Sequence, residues 1–189
     1  MTILKTSKVA GPGGTTAIDG SVFFDGRSYL ALAEGALISG YGFGVDDFTL
    51  EFWIKQGVNS GNYVGLFAAT SSTAADRFEV AIHSSTIQVY TDTGAWRDTG
   101  WGPATGSWSH IVFERHNGRL NFMVNGALQY SVENTRDYDE DWTAQKFGNH
   151  GSSYPYYQGK IVDLRAYVGV AKYKGSFDCE KVFTPRSWG

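Results

Sequence analysis

At 189 residues the chain is long enough for one hydrophobic core and leaves little room for a second, and its 15% aromatic content with 24 glycines is typical of short β-strands joined by tight turns. The net charge is −3 and no stretch concentrates lysine and arginine, so the chain lacks the basic surface that binds nucleic acid. No apolar run approaches the ~20 residues needed to span a membrane. The single cysteine, Cys179, excludes an intrachain disulfide, and residues 1–7 lack the apolar centre of a signal peptide, so we expect synthesis in a cytoplasm and no export by the general secretory route.

The first predicted element is an N-terminal arm of residues 1–20. Residues 1–9 show no clean hydrophobic periodicity, and Ala-Gly-Pro-Gly-Gly-Thr-Thr at 10–16 is a cluster of chain breakers. Ile3, Leu4 and Val9 offer too little apolar surface to fold alone, so order must come from docking on the chain's own domain or on a neighbouring subunit. We expect these three residues to attach the chain to copies of itself or to other proteins of a particle.

From residue 21 onward the hydrophobic pattern has a period of two, which predicts half-buried strands. In the run 48–55, apolar side chains at even positions alternate with Thr49, Glu51, Trp53 and Lys55. Further strands are predicted at 21–24, 29–32, 63–69, 78–83, 86–91, 145–147 and 160–167.

Two Asn-Gly pairs, at 117–118 and 125–126, predict hairpin turns because both residue types tolerate the positive φ of a type I′ turn. They separate the runs 108–115, 119–124 and 127–132, which would form an antiparallel meander. About ten short strands without an amphipathic helix predict an all-β fold, a two-sheet antiparallel β-sandwich or jelly roll covering residues 21–189.

Several segments follow one another in a familiar order. They are Ser-Val-Phe-Phe-Asp-Gly at 21–26, Asp-Phe-Thr-Leu-Glu-Phe-Trp-Ile at 47–54, Trp-Ser-His-Ile-Val-Phe-Glu-Arg at 108–115 and Gly-Lys-Ile-Val-Asp-Leu-Arg at 159–165. This series resembles laminin-G-like domains of the concanavalin A-like lectin/glucanase superfamily. The ending, with Gly-Val-Ala-Lys-Tyr at 169–173 and Phe-Thr-Pro at 183–185, resembles versions found in virion structural proteins of phages. The resemblance implies a concanavalin A-like jelly roll, a fold that hosts glycosidases, lectins, receptor modules and virion proteins.

The sequence carries no catalytic motif that we recognise. Glycosidases of the resembling superfamily carry carboxylates that alternate along one strand, as in Glu-x-Asp-x-Glu, so that an acid and a nucleophile face one cleft. The nearest run is Asp-Tyr-Asp-Glu-Asp at 137–141, and the preceding Asn-Thr-Arg indicates a loop instead. No Gly-x-Ser-x-Gly elbow or zincin-type histidine pair is present. We therefore predict that the protein is not an enzyme.

The same acidic run has a metal interpretation. Asp137, Asp139 and Asp141 have the spacing that begins a helix-loop-helix calcium loop. Trp142, however, stands where that loop needs glycine, and Gly148 stands where a bidentate glutamate would close it. A looser calcium site on a loop rim and a solvated acidic loop both remain open, and no other cofactor is expected.

Two groups of aromatic residues fall in predicted loops. Flat rings beside polar groups suit a sugar-binding surface, a protein interface or a lid over the sandwich edge, and all three remain open. The residues are Trp96, Arg97 and Trp101 in one group and Tyr154, Tyr156 and Tyr157 in the other.

These observations predict a non-enzymatic structural or adhesion protein of the virion, a capsid decoration or tail-appendage subunit of a phage. The arm would attach it, and the lectin-like domain would be displayed outward, where a cell-surface glycan is a second expected partner. The alternatives are a free carbohydrate-binding lectin, with or without calcium, and a degenerate glycosidase.

Overall fold

The computed structural model describes residues 5–9, 15–32, 42–58, 62–70, 77–90, 95–138, 144–149 and 155–179. In these ranges the chain forms thirteen strands, and every strand pair is antiparallel. The strands are β1 (Lys5–Val9), β2 (Thr15–Asp25), β3 (Leu30–Leu32), β4 (Phe48–Gln56), β5 (Val64–Thr70), β6 (Phe78–His83), β7 (Thr86–Tyr90), β8 (Trp96–Asp98), β9 (Trp108–His116), β10 (Arg119–Val124), β11 (Ala127–Glu133), β12 (Ala144–Phe147) and β13 (Gln158–Val168).

The strands form two sheets that pack face to face. Sheet A has the order β1-β2-β13-β4-β9-β10-β11, and sheet B has the order β3-β12-β5-β6-β7-β8. The predicted all-β sandwich is confirmed. No helix long and apolar enough to span a membrane occurs in the part of the chain described here.

An aromatic core fills the space between the sheets. Phe48 on β4 of sheet A meets Phe78 on β6 of sheet B edge to face, with ring centroids 5.6 Å apart. Phe78 also packs against Phe113 of β9, at 5.9 Å. Burying each such ring stabilises the fold by ~1.5–3 kcal/mol relative to exposure. Because alternate side chains of the central strands pack in the core, the intervening side chains lie on the two outer faces, on which a site can be built.

The predicted meander is also confirmed. β9, β10 and β11 pair consecutively, and both Asn-Gly turns have positive φ at both residues. The φ angles are 50° and 72° at Asn117 and Gly118, and 48° and 83° at Asn125 and Gly126.

Residues 5–9 and 15–25 near the N-terminus form two strands of sheet A. β2 runs without interruption from Thr15 to Asp25 along β13, and β1 pairs with residues 15–19 of β2. β2 thus continues across residue 20, and the division into an arm of residues 1–20 and a domain of residues 21–189 stays a prediction. Val9 lies at the end of edge strand β1, and Ile3 and Leu4 lie outside the described residues.

After β13 the chain crosses the outer face of sheet A as a strap, which comprises residues 169–179. Thr49 of β4 donates its hydroxyl to the carbonyl of Val170 at 2.9 Å and accepts the amide of Lys172 at 3.0 Å. Farther along, the amide of Phe177 donates to the carbonyl of Gly126 in the β10–β11 turn at 2.8 Å. The strap thus spans from β4 to the far hairpin of the same sheet.

Candidate functional site

Sheet B carries aromatic rings on its outer face. The ring of His83 stacks on that of Tyr63, with centroids 4.0 Å apart and planes 8° apart. The Trp96 ring lies 5.6 Å from Tyr63 and 5.7 Å from Tyr90. Because Ile82 points into the core, its neighbour His83 must point outward, and the other rings gather around it. Tyr63, His83 and Trp96 remain partly exposed.

Polar groups lie beside these rings. The side-chain amide of Gln88 lies 3.1 Å from Nδ1 of His83, and the hydroxyl of Thr86 donates to Oδ2 of Asp98 at 2.8 Å. Asp98 also accepts the amide of Gly100 at 2.8 Å, and this bond lowers the pKa of its carboxyl group. Asp98 is exposed, so an ionised acceptor stands at the edge of the aromatic group.

A buried carboxylate lies behind the rings. Glu79 is almost fully buried, and Oε1 lies 3.8 Å from a guanidinium nitrogen of Arg77, which itself covers the ring of Tyr90 at 4.0 Å from its centroid. Burial raises the pKa of Glu79, an effect that Arg77 opposes. The Arg77–Glu79 pair therefore packs against the Tyr90 ring, next to Trp96.

A second aromatic pair lies at the opposite end of the same face. The rings of Tyr29 and Tyr156 stack with centroids 6.1 Å apart, and the ammonium group of Lys146 lies 5.5 Å from the Tyr29 centroid. Next to Tyr156 is a cleft of about 360 Å³ whose walls include Asp25 and Gln158. Tyr29 is 46% exposed and therefore available for contact.

Backbone register connects the two ends. Tyr156 forms an isolated bridge with Gly65, and Gly65 pairs with Ala81, Ala81 with Gln88, and Gln88 with Asp98. One row across the sheet therefore runs from the tyrosine pair to the Trp96 group. We call the exposed rings along this row the aromatic strip; its members are Tyr29, Tyr63, His83, Trp96 and Tyr156.

The structure divides the first predicted aromatic group. Trp96 and Arg97 were predicted to lie in a loop but lie on a short edge strand. The sequence did not indicate this strand because three residues are too few to show an alternating pattern. Trp96 belongs to the strip. Arg97 is half-buried opposite Val89, and Trp101 packs against the core, with its ring 6.1 Å from Phe122.

The second group is divided as well. Tyr156 belongs to the strip, whereas Tyr157 is fully buried in the core, with its ring edge against Phe24. Adjacent residues in an extended segment point to opposite sides, so only one of the two tyrosines can reach the surface. Tyr154 lies outside the described residues.

Sequence reasoning missed Tyr29, Tyr63 and His83, which lie in or beside strands. Each was taken as part of a hydrophobic run. The one available signal was the alternation of Val80 and Ile82 along β6, which places His83 on the outer face.

The strap closes over a buried carboxylate on the outer face of sheet A. Glu51 lies 2.6 Å from the ammonium group of Lys172 and 3.3 Å from Nε2 of His110, and it accepts the hydroxyl of Tyr173. A guanidinium nitrogen of Arg165 is 3.9 Å away. Burial alone would raise the pKa of Glu51, but hydrogen bonds from His110, Lys172 and Tyr173 lower it to about 2.

A second glutamate of sheet A also accepts hydrogen bonds from the strap. Glu114 on β9 accepts the strap amides of Tyr173 and Lys174 at 2.6 and 2.7 Å, and the Thr49 hydroxyl lies 3.2 Å away. The same strap therefore covers Glu51 and Glu114. They hold the strap on the sheet and do not face a cleft as a glycosidase pair would.

A buried guanidinium lies near the predicted acidic loop. Arg115 is 1% exposed and donates to the carbonyls of Gly44, Asp46 and Arg136, and its ring neighbours are Phe48 and Tyr138. Burial lowers the pKa of Arg115. This one side chain ties the loop at 42–46 to the segment at 134–138.

The predicted calcium ligands are only partly described. Asp137 is exposed and lines a cleft of about 260 Å³ with Asp46, while Asp139 and Asp141 lie outside the described residues. Among the residues that the structure does describe, no group of three or more His, Cys, Asp or Glu side chains is placed to hold a metal ion.

A family model described as the concanavalin A-like lectin/glucanases superfamily matches residues 24–171. The chain belongs to this superfamily. No curated protein sequence matches it.

Solved structures share the fold at low identity. Domain 4 of AbnA, an extracellular GH43 arabinanase of Geobacillus stearothermophilus solved with arabinotriose, has 21% identity and a TM-score of 0.59, covering 89% of this chain and 78% of that one. Domains LG4-5 of mouse laminin α1 have 18% identity and a TM-score of 0.61, covering 85% and 44%. The binding domain of botulinum neurotoxin serotype G has 13% identity and a TM-score of 0.57, covering 94% and 43%. The chain thus spans less than half of the laminin and neurotoxin chains.

Proposed function

We propose that this chain is a non-enzymatic adhesion module that binds carbohydrate through the aromatic strip of sheet B. The observation that carries the proposal is the placement of Tyr63, His83 and Trp96 together on an outer face, where they contribute nothing to the core. Partly exposed rings cost hydration energy unless a ligand covers them. Their proximity to Asp98 and Gln88 supplies hydrogen-bonding groups for hydroxyls.

The chemistry of a sugar fits this surface. The C–H-rich face of a pyranose or furanose ring packs on an aromatic ring, while its edge of hydroxyl groups needs acceptors and donors at the side. Domain 4 of AbnA was solved in complex with arabinotriose, which supports a sugar ligand for a sandwich of this kind. The binding domains of the other relatives support a binding role over a catalytic one.

We also propose that the chain does not hydrolyse the carbohydrate that it binds. A retaining glycosidase needs two carboxyl groups about 5–5.5 Å apart on one open cleft. Glu51 and Glu114 are covered by the strap, and Glu79 is buried beside Arg77. A degenerate glycosidase would still bind sugar through the strip, but we expect no turnover by the intact chain.

The proposal is tested by a glycan array followed by calorimetry on the best ligands, with Trp96→Ala as the variant. Phe23→Ala is the matched control, because Phe23 is 64% exposed on the other sheet. We expect Trp96→Ala to weaken binding about tenfold and the control to leave it unchanged. Equal binding by both variants, or release of reducing sugar by the wild type, would contradict the proposal.

We further propose that the module belongs to a phage virion, as a capsid decoration or tail-appendage subunit. The resemblance of residues 169–173 and 183–185 to endings in virion proteins supports this. So does edge strand β1, because an edge strand can exchange its partner between copies by strand addition.

The attachment part of the proposal is tested by deleting residues 1–14, which removes Ile3, Leu4 and Val9. We expect a soluble sandwich that unfolds cooperatively and no longer joins its particle or oligomer, as measured by sedimentation. Assembly equal to that of the full chain would show that these residues do not attach the protein.

A free lectin that uses calcium is the second candidate. The cleft between Asp46 and Asp137 at the loop rim favours it, since carboxylates are ligands that calcium prefers. Bound calcium would raise the melting temperature by mass action. An unchanged melting temperature at millimolar calcium would contradict the calcium site and favour a solvated acidic loop.

A further inference from the structure

We infer that the ligand of the aromatic strip is an extended, uncharged oligosaccharide chain that crosses the strands of sheet B, not a single sugar. This inference rests on the proposed carbohydrate-binding function. It follows from the length of the strip, the small residues between its ends, the polar groups at both ends and the balance of charge along it.

The length of the strip exceeds one sugar ring. From Tyr156 to Asp98 the row of register partners crosses four strand-to-strand steps, through Gly65, Ala81 and Gln88. At ~4.8 Å per step this is about 19 Å between backbones. Contact at both ends therefore needs several linked sugars.

Small residues occupy the middle of the row. Gly65 and Ala81 project no more than a methyl group, so the neighbouring rings of Tyr63 and His83 define the surface between the two ends. Tyr63 has a φ of 59°, an unusual value for a bulky residue, and this conformation places its ring parallel to that of His83. The stacked rings of Tyr63 and His83 thus flank the middle of the row.

Each end combines a ring with polar groups. Trp96 stands near exposed Asp98, and Tyr156 stands at the cleft that contains Asp25 and Gln158. Asp25 is held in place because it accepts the amide of Arg27 at 2.9 Å. A ring that packs against a sugar face, with a fixed acceptor at its edge, forms one subsite. The strip therefore contains two terminal subsites joined by rings.

Charge along the strip is balanced. In the part of the chain that the structure describes, the charged side chains that accompany it are Asp25, Arg27, Arg77, Glu79, Asp98 and Lys146. Three are cations and three are anions. Arg77 is already paired with Glu79, and Lys146 lies on the ring of Tyr29. A polyanionic chain would meet Asp25 and Asp98 as repulsive groups, so the arrangement favours an uncharged chain.

The experiment is calorimetric titration of the full chain with linear arabino-, xylo-, cello-, malto-, manno- and chito-oligosaccharides of one to six units, and with a heparin hexasaccharide. The variants are Trp96→Ala, Tyr156→Ala and their combination, with Phe23→Ala as control. Each variant's melting temperature is measured first, and the subsequent titrations use conditions in which all are folded.

We expect at least one uncharged series in which the hexamer binds about tenfold or more tightly than the dimer. Trp96→Ala and Tyr156→Ala should each weaken hexamer binding about tenfold, to about the affinity of the wild-type dimer, and the double variant should weaken it further. Tyr156→Ala should leave dimer binding at the Trp96 end unchanged.

Three other results are distinguishable. Affinity that no longer increases beyond a monosaccharide or dimer, with no effect of Tyr156→Ala, would overturn the extended-chain inference and leave the binding function standing. Preference for the heparin hexasaccharide would overturn the uncharged ligand. Failure of every sugar to bind would overturn the proposed function itself.

Discussion

Replacing Glu51 with glutamine is expected to remove the charge that holds the strap on sheet A. Glutamine keeps the size of the side chain but offers neither an anion to Lys172 nor an acceptor of equal strength to His110 and Tyr173. The strap is the only part of the described chain that covers this glutamate, so its docking should weaken while the sandwich core remains intact.

The magnitude follows from the pKa. Hydrogen bonding lowers the pKa of Glu51 from 4.5 to about 2 despite burial. One pH unit corresponds to ~1.4 kcal/mol, so ionised Glu51 contributes about 3 kcal/mol to the free energy of unfolding at neutral pH. Because the pKa is lower in the folded state, the unfolded chain takes up the proton first as the pH falls. The contribution is full above about pH 5, and about 2 kcal/mol of it is lost by pH 3.

The assay is urea unfolding, followed by tryptophan fluorescence, of the wild type and Glu51→Gln between pH 7 and pH 3. Other carboxyl groups titrate in both proteins, so their effect cancels in the difference. We expect a difference of about 3 kcal/mol at pH 7 that falls to about 1 kcal/mol at pH 3. Glu133→Gln, at an exposed position of β11, is the matched control and should show a small difference at both ends of the range.

A difference between wild type and Glu51→Gln that stays constant from pH 7 to pH 3 would refute the reasoning. It would mean that glutamine disturbs the packing of the strap and that the charge of Glu51 contributes nothing measurable.

Three further substitutions test contacts that stabilise the sandwich outside the aromatic strip. Arg115→Met should lower the free energy of unfolding by ~3–5 kcal/mol, because it leaves several loop carbonyls buried without a donor; an unchanged urea midpoint would count against this. Gly126→Ala should cost ~2 kcal/mol more than Gly118→Ala, since both have positive φ but only at Gly126 would the new methyl group meet a strap carbonyl, 2.0 Å away; equal costs would exclude the contact. Tyr157→Phe should leave stability unchanged or raise it by ~1 kcal/mol, because it removes a buried hydroxyl with no hydrogen-bond partner, and calorimetry should show sugar affinity equal to that of the wild type.

Much of the fold could be predicted from local sequence signals. Alternation along β4 placed its even-numbered side chains in the core, and the Asn-Gly pairs placed both turns of the meander. Those signals work because side-chain direction in a strand and positive φ in a turn depend on residues close in the chain. Strands β1 and β8 were not predicted: each pairs with the strand next to it in the chain, but their few residues show no clear alternating pattern.

The candidate site could be predicted only in part. Trp96 and Tyr156 were identified as aromatic residues without a core role, and both lie on the strip. Tyr157 was identified with them but lies in the core, because adjacent residues of an extended segment point in opposite directions. Which tyrosine faces outward depends on the register with β5, which a local pattern does not reveal.

The sequence by itself determined the all-β class, the central strand and the meander, since these depend on periodicity and turn chemistry within short windows. The superfamily was indicated by the resemblance of several ordered segments. Only the tertiary structure decided which distant residues share a surface. The partners of Glu51 lie up to 122 residues away along the chain, and the aromatic strip joins Tyr29 to Trp96 and Tyr156. Such contacts depend on strand order and register, which the summed packing and hydrogen bonding of the whole sandwich select.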